Sequence, residues 1–384
     1  MTTLTNEEHL IQQFSHSARC LHIHWKDGHR SSFAALWLRD NCPEERDPRN
    51  GQRLMDITEL PRDPTIHAVN YLGDRILALS WGNESKQSLF DLEWLWNHCR
   101  SDNPDWRPRT RPAIWMGNQA AELIWSDYSE VLSSEAARWE WLDSIAQYGI
   151  GFLENVPCKD QQVLEVARLA GFIYETNYGR IFDVRSEPSP NNLANTDWKL
   201  GLHTDNPYRD PVPGFQILHC LQASPDGGES VFADGFALAE RLKKQDWAAF
   251  LILASTPVRF RFQDVTTDLS AERPLLQLNL RGELVAVHFN NRSIAPLGLS
   301  PDRMSSFYLA YRELAKLIQS PDFEFRIKLQ NGDAVMFDNH RILHGRTAFN
   351  ADRCPRHLQG CYVNRDSVFS NLRVLSRQFQ EAMS

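Results

Sequence analysis

The sequence predicts a mainly β protein with flanking helices, in which a small β-rich N-terminal module precedes a larger β-sandwich or double-stranded β-helix core. Three observations carry this reading. Between Arg19 and Cys99 short alternating segments (CLHIHW, HAVNYL, ILALSW) are punctuated by the turn signals KDG, LGD and WGN. After Gly179 short β-like runs are broken by Gly, Pro, Asn and Asp, with only two helical stretches, Phe236 to Leu253 and Pro301 to Gln319. No GxGxxG, P-loop or internal repeat occurs, so a parallel α/β nucleotide fold has no support.

Taken in order, residues 1–100 form the small module. Residues 101–130, with SDNPDWRPRTRPAIWMGNQ, interrupt every periodicity and read as a linker. Residues 131–384 form the second domain. Ser133 or Ser134 caps a helix running through Ala136, Trp139, Trp141 and Leu142, and Gln161 to Tyr174 repeats apolar residues at helical spacing. Several short strands with few helices then favour a sandwich or jelly-roll core.

Composition narrows the partners. The 384 residues carry 41 Lys and Arg against 49 Asp and Glu, a formal charge of -8, and no basic run long enough to follow a phosphate backbone. Nucleic acid is therefore not an expected partner. The N-terminus, Met1 to Gln12, lacks the basic start and apolar stretch of a secretory signal, and no window reaches membrane-spanning length, so a cytoplasmic location without membrane contact is expected. Seven scattered cysteines without a CxxC fit reduced thiols, with neither bridges nor a cysteine-built metal site.

The chemistry is concentrated in GLHTDNPYRD and FDNHRILHGR. His203 and Asp205 stand two apart, and on an extended strand such residues project from one face, so an imidazole nitrogen and a carboxylate oxygen are placed to grip one ion. Alone, the pair is weak evidence, because about one His-x-Asp triplet is expected by chance in a chain this rich in histidine. A third ligand is offered by His344 after the strand-like AVMFD. His340 competes with it, but the strand-then-HGR context favours His344. Two histidines and one carboxylate leave open octahedral positions for dioxygen, the facial arrangement of non-heme Fe(II) oxygenases, whereas zinc is better served by three histidines or a tetrahedral cysteine set. Twelve residues on, Arg356 offers a guanidinium fork suited to a chelating keto-acid cosubstrate such as 2-oxoglutarate.

The strings ALWLRDNCP, TNYGRIFDVRS, KLGLHTDNPY, FQILHC, GGESVFADGF, VMFDNHRILHGR and RHLQGCYVNRD, in that order, resemble the 2-oxoglutarate-dependent oxygenases of the gamma-butyrobetaine hydroxylase, trimethyllysine dioxygenase and taurine dioxygenase group. The resemblance covers about Gly149 to Arg377, more weakly the N-terminal module, and is nearest to the gamma-butyrobetaine hydroxylases. It implies a distorted double-stranded β-helix, Fe(II) held by His203, Asp205 and His344, and Arg356 with Ser230 on the distal carboxylate of 2-oxoglutarate. It also implies O₂ as cosubstrate, hydroxylation of a small molecule with release of succinate and CO₂, and a homodimer.

Relatives acting on trimethylammonium groups hold the cation in aromatic rings. Tyr178, Phe182 and Tyr362 match three cage positions. The fourth, a tyrosine there, is Asn195 here, so Trp198 or Tyr208 completes the cage or the site takes something other than a trimethylated nitrogen. Asp183 supplies a counter-charge. Asn192 and Asn290 or Asn291, with Asn291 preferred, match contacts to the substrate's acidic end, and Arg292 adds a charge beside them. The implied substrate is gamma-butyrobetaine or a related quaternary ammonium acid, with an amino- or trimethylammonium-phosphonate or a taurine-like sulfonate as the alternative. A non-catalytic binding paralogue is the remote third reading, and its signature, a lost metal ligand, is missing. In the N-terminal module the relatives hold zinc with three cysteines and a histidine. This chain keeps only Cys42 and has Lys86 or Gln87 in place of the histidine, so ion pairing or packing is expected to replace the metal.

Overall fold

The computed structural model describes residues 10–82, 84–99, 112–123, 125–185, 198–349 and 356–383. Two compact units are present, Met1–Arg109 and Thr110–Ser384.

In the first unit, β1 (Ile11–His16), β2 (Cys20–Trp25) and β3 (Arg30–Ala34) form one antiparallel sheet and lead into α1 (Ala35–Asp40). A second antiparallel sheet of β4 (Ile66–Gly73), β5 (Ile76–Trp81) and β6 (Gln87–Asp91) leads into α2 (Leu92–His98). The period-two alternation has a direct consequence: Leu21, Ile23 and Trp25 of β2 and Leu77, Leu79 and Trp81 of β5 are buried in one shared core.

Where the relatives' zinc is expected, the side chains form an ion-pair network. The Arg39 guanidinium, buried at 3% exposure, forks onto Glu45 (2.6 and 2.9 Å) and Glu84 (2.8 to 3.1 Å), and Lys86 reaches Glu45 at 2.8 Å. Cys42 lies 2.9 Å from the Ser88 hydroxyl and 3.1 Å from Glu44, so its thiol sits among hydrogen-bonding groups. Removing one partner of a buried pair strands the others' charge. Arg39→Met is therefore expected to destabilise this unit by about 3 kcal/mol. Hydrogen exchange of the full-length chain reads this as faster exchange of α1 and β6 with the second unit unchanged. Arg39, the first cause, and Lys86 hold the Glu45 carboxyl below its usual range. Its contribution is thus complete above the unfolded carboxyl pKa and is lost as pH falls through the lowered folded value.

The second unit opens with a 3₁₀ turn (Gly117–Glu122), β7 (Trp125–Asp127), α3 (Tyr128–Ser133), α4 (Glu135–Tyr148), β8 (Ile150–Glu154) and α5 (Gln162–Ala170). There follow β9 (Ile173–Tyr174), β10 (Phe182–Val184), β11 (Leu200–His203), β12 (Phe215–Gln222) and β13 (Ser230–Asp234). Helices α6 (Gly235–Gln245) and α7 (Trp247–Ser255) precede the hairpins β14 (Val258–Gln263) with β15 (Asp268–Arg273) and β16 (Leu276–Leu278) with β17 (Leu284–Val287). The chain ends with α8 (Pro301–Ile318), β18 (Phe325–Ile327), β19 (Ala334–Asp338), β20 (Ile342–Arg346), β21 (His357–Val363) and α9 (Arg365–Met383).

One large sheet runs β10-β21-β12-β19-β8-β7, with β9 also paired to β21, and a smaller one runs β11-β20-β13-β18. Strand alternation divides the apolar residues between two layers. Phe215 and Ile217 of β12 and Met336 of β19 join Trp141, Leu142, Val166 and Leu372 under the helices. Leu218, Val335 and Phe337 face the other way and meet Phe232 and Ile342 of the small sheet. This is the jelly-roll core expected from the sequence.

Four local expectations change. The stretch expected as a linker through residue 130 is, from residue 112 on, part of the second unit: Trp115 is buried with its indole N–H on the Tyr148 carbonyl, and β7 extends the large sheet beside β8. Its prolines hid this, since the pairing is with distant chain. Ser134 caps α4 as expected, its hydroxyl accepting the Ala137 N–H at 3.3 Å, but helix α5 stops at Ala170 and Ile173–Tyr174 pairs as β9. The helical stretch from Phe236 to Leu253 is broken at Asp246, whose carboxylate caps α7 through the Ala249 N–H at 2.9 Å. The C-terminal α9 was not expected. No helix among the described residues is long and apolar enough to cross a membrane.

Candidate active site

His203 ends β11 and lies directly across the ladder from His344 on β20, with ring centroids 4.4 Å apart. Asp205 follows in the turn after β11. The ligand atoms of His203, Asp205 and His344 all lie within 4.8 Å of one another, and this is the one such group of three among the described residues. His203 Nε2 is 3.3 Å from Asp205 Oδ1 and His344 Nε2 is 3.6 Å from Oδ2. His340, the competing ligand, packs instead against His288.

The donor chemistry fits a divalent cation. His203 donates its Nδ1 proton to the Gly201 carbonyl at 2.9 Å, which leaves the Nε2 lone pair pointing at the carboxylate. Burial, then the neighbouring His344, pulls the His203 imidazole down to about 4, so it is neutral at pH 7. For Asp205 burial pushes upward, but the facing imidazoles outweigh it and hold the carboxyl well below its usual range. Two imidazoles and one carboxylate converge with their ligand atoms within 4.8 Å of one another, and Fe(II) with open positions suits that donor set.

The turn bearing Asp205 is held by side chains to which the sequence reading gave no such role. Asn339 is fully buried and imitates a strand: its Oδ1 accepts the Asp205 N–H at 2.7 Å, and its Nδ2 donates to the Asp205 and Pro213 carbonyls at 3.0 Å each. Thr204 is fixed to Phe289 by two bonds of 2.8 and 3.0 Å, and Asn290 Nδ2 reaches the Thr204 carbonyl at 3.1 Å. Asn206 adopts φ +51, a left-handed conformation that asparagine tolerates. Below β20, the buried Arg341 bridges Asp234 (2.7 and 3.0 Å) and the carbonyls of Ala113 and Gln147. Of these residues only Asn339, inside the motif string FDNHR, left a readable signal: a buried amide between a strand and the ligand histidine.

A cavity of about 410 Å³ opens beside the three ligands. At one side Arg356, Arg346 and Ser230 line it. Arg356 is buried, and no carboxylate among the described residues pairs with it. Burial, then repulsion from Arg346, lowers its guanidinium to about 10, which leaves it cationic at neutral pH. Gly228 makes room for it, since a Cβ there would stand 2.9 Å from Arg356 Cδ. A buried guanidinium fork of this kind can donate to a carboxylate that enters the cavity.

Tyr178, Phe182, Asp183 and Tyr362 line the same cavity. The Phe182 and Tyr362 rings are 5.1 Å apart, and Phe182 lies across Gly360, where any Cβ would fall 2.4 Å from its ring. Asp183 is already paired, accepting from His357 Nε2 at 2.7 Å and Gln359 Nε2 at 3.2 Å. Neither candidate for completing the cage lines the cavity: Tyr208 stacks on Phe262 at 5.2 Å, and Trp198 is 73% exposed. Asn291 also needs correcting. It lines a neighbouring cavity with Lys199 and Tyr311, whereas Arg292, with Leu200 and His203, lines both that cavity and the one beside His203, Asp205 and His344. Asn192 and Asn195 lie outside the described residues.

Residues 116–362 match the family model described as taurine catabolism dioxygenase TauD, TfdA family. The chain belongs to the TauD, TfdA family of dioxygenases. A second model, gamma-butyrobetaine hydroxylase-like, N-terminal, matches residues 12–96 of this TauD-family chain. The chain is 36% identical over 358 residues to gamma-butyrobetaine dioxygenase of Pseudomonas sp. (strain AK-1), covering 92% of this chain and 93% of that protein. It is 31% identical over 374 residues to gamma-butyrobetaine dioxygenase of Homo sapiens, covering 94% and 96%. Trimethyllysine dioxygenase of Meyerozyma guilliermondii (strain ATCC 6260 / CBS 566 / DSM 6381 / JCM 1539 / NBRC 10279 / NRRL Y-324) is 29% identical over 395 residues, covering 97% and 98%. The protein is a 2-oxoglutarate-dependent non-heme iron dioxygenase.

Proposed function

We propose that this dioxygenase hydroxylates a small zwitterion carrying a quaternary ammonium group and an acidic end, gamma-butyrobetaine or a close analogue, with succinate and CO₂ as co-products. The observation that carries this reading is the set of three rings, Tyr178, Phe182 and Tyr362, with the carboxylate of Asp183, in the same cavity as the His–Asp–His group. Ring faces and one acid attract a diffuse cation, at about 0.5 to 2 kcal/mol per ring contact when desolvated.

In this reading His203, Asp205 and His344 hold Fe(II), and Arg356 with Ser230 takes the distal carboxylate of 2-oxoglutarate. When bound, iron and 2-oxoglutarate supply the oxidising chemistry toward dioxygen that ends in C–H hydroxylation. The chain's own contribution is placement. Arg356 fixes one end of the cosubstrate, the rings fix the substrate's cation, and Arg292 receives its acidic end, so the C–H bond is presented at one distance from the metal. Phe182, Leu218, Phe232 and Leu358 give the cavity apolar walls that limit water.

Succinate formation with Fe(II), 2-oxoglutarate and a panel of betaines tests the reading. Turnover of gamma-butyrobetaine and its homologues is expected, and turnover confined to uncharged or purely anionic compounds overturns it. A second reading, oxidation of an amino- or trimethylammonium-phosphonate or a taurine-like sulfonate, is favoured by Arg292 at the cavity in place of Asn291. The same assay with those compounds separates the two. We also read the chain as a cytoplasmic homodimer, for which sedimentation should give twice the chain mass.

A further inference from the structure

The cage position Tyr362 does something that its ring alone does not require. Its hydroxyl donates to Asp205 Oδ2 at 2.8 Å, and Asn206 Nδ2 donates back to the same hydroxyl at 3.1 Å. Tyr208 in turn donates to Asn206 Oδ1 at 2.6 Å, and the Tyr178 hydroxyl lies 3.4 Å from that of Tyr208. The donors run in one direction, from Tyr208 through Asn206 and Tyr362 to the carboxylate. Tyr362, Asn206 and Tyr208 are all buried, where hydrogen bonds act in a lower dielectric than in bulk water.

We propose that Tyr362 is a positioning residue for the metal centre as well as a wall of the substrate cage, its hydroxyl holding one oxygen of Asp205 so that the other is presented to the ion. The inference rests on the reading of His203, Asp205 and His344 as metal ligands. A free carboxylate beside a dication can swing or chelate through both oxygens. With Oδ2 occupied by a charge-assisted O–H···O bond and lying 3.6 Å from His344 Nε2, the carboxylate is held so that Oδ1, 3.3 Å from His203 Nε2, keeps its lone pairs for the ion. Asn339 holds the Asp205 backbone and Tyr362 its side chain, so both degrees of freedom of the ligand are fixed from outside the metal site.

The test uses Tyr362→Phe, which keeps the ring and removes the hydroxyl. Anaerobic competition for Fe(II) with a chromogenic chelator should show metal affinity falling about 10- to 100-fold, the range for lost outer partners of metal ligands. The Michaelis constant for gamma-butyrobetaine, measured at saturating Fe(II), should change much less. Phe182→Leu, which removes a cage ring without touching Asp205, should do the reverse. Wild-type Fe(II) affinity in Tyr362→Phe, or an equal loss in Phe182→Leu, overturns the proposal. If Tyr362→Phe does not fold, Tyr208→Phe, which frees Asn206 one link further out, decides: weaker Fe(II) binding supports the relay, and unchanged binding overturns it. Wild-type protein that binds no Fe(II) at all overturns the site reading itself, a result distinct from equal binding by wild type and variant.

Discussion

Alanine at Asp205 is expected to weaken Fe(II) binding by more than about 100-fold, beyond the range for outer-shell partners, and to abolish succinate formation. The carboxylate is the one acid in the candidate group, and without it two imidazoles alone would face the dication. The fold should survive. The turn is held by the Asp205 backbone on Asn339 and by Thr204 on Phe289, none of which the substitution removes. Thermal unfolding within a few degrees of wild type, with chelator competition and oxygen consumption on the same preparation, checks this. Wild-type turnover in Asp205→Ala would remove the metal-site assignment.

Methionine at Arg356 is expected to raise the Michaelis constant for 2-oxoglutarate by about 100-fold or more, since each hydrogen bond to a charged group contributes roughly 1.5 to 3 kcal/mol and the fork makes two. Methionine fills much of the same volume against Gly228, so the cavity wall should persist. Arg346 remains nearby but donates to the Trp198 carbonyl and lies over the Phe349 ring, so it is poorly placed to substitute. The constant for the substrate should change far less. An equal rise in both, or none in the cosubstrate's, would assign the Arg356 side of the cavity to something other than 2-oxoglutarate.

The candidate metal group was legible only in part. AVMFD reports a strand, β19, without knowledge of its partner, but His203 and Asp205 do not share an extended strand: β11 ends at His203 and Asp205 lies in the turn that follows. Gly228 and Gly360 were visible as letters, but their purpose, room for Arg356 and for the Phe182 ring, depends on segments more than a hundred residues away. The FNNR stretch is ambiguous for a related reason: its three consecutive polar residues are equivalent on paper, and the structure places Arg292, not Asn291, in the lining of the cavity with Asp205 and His344.

By itself, then, the sequence determined the jelly-roll class, and it singled out His203, Asp205, His344 and Arg356 as candidates, since these readings rest on short-range alternation and on short motifs. Tertiary structure alone decided which groups hold the Asp205 turn in place, that Arg39 pairs with Glu45 and Glu84 near Cys42, and that the Tyr362 hydroxyl reaches Asp205. Hydrogen bonds and ion pairs act over about 3 Å, and chain distance carries no information about which side chains come that close.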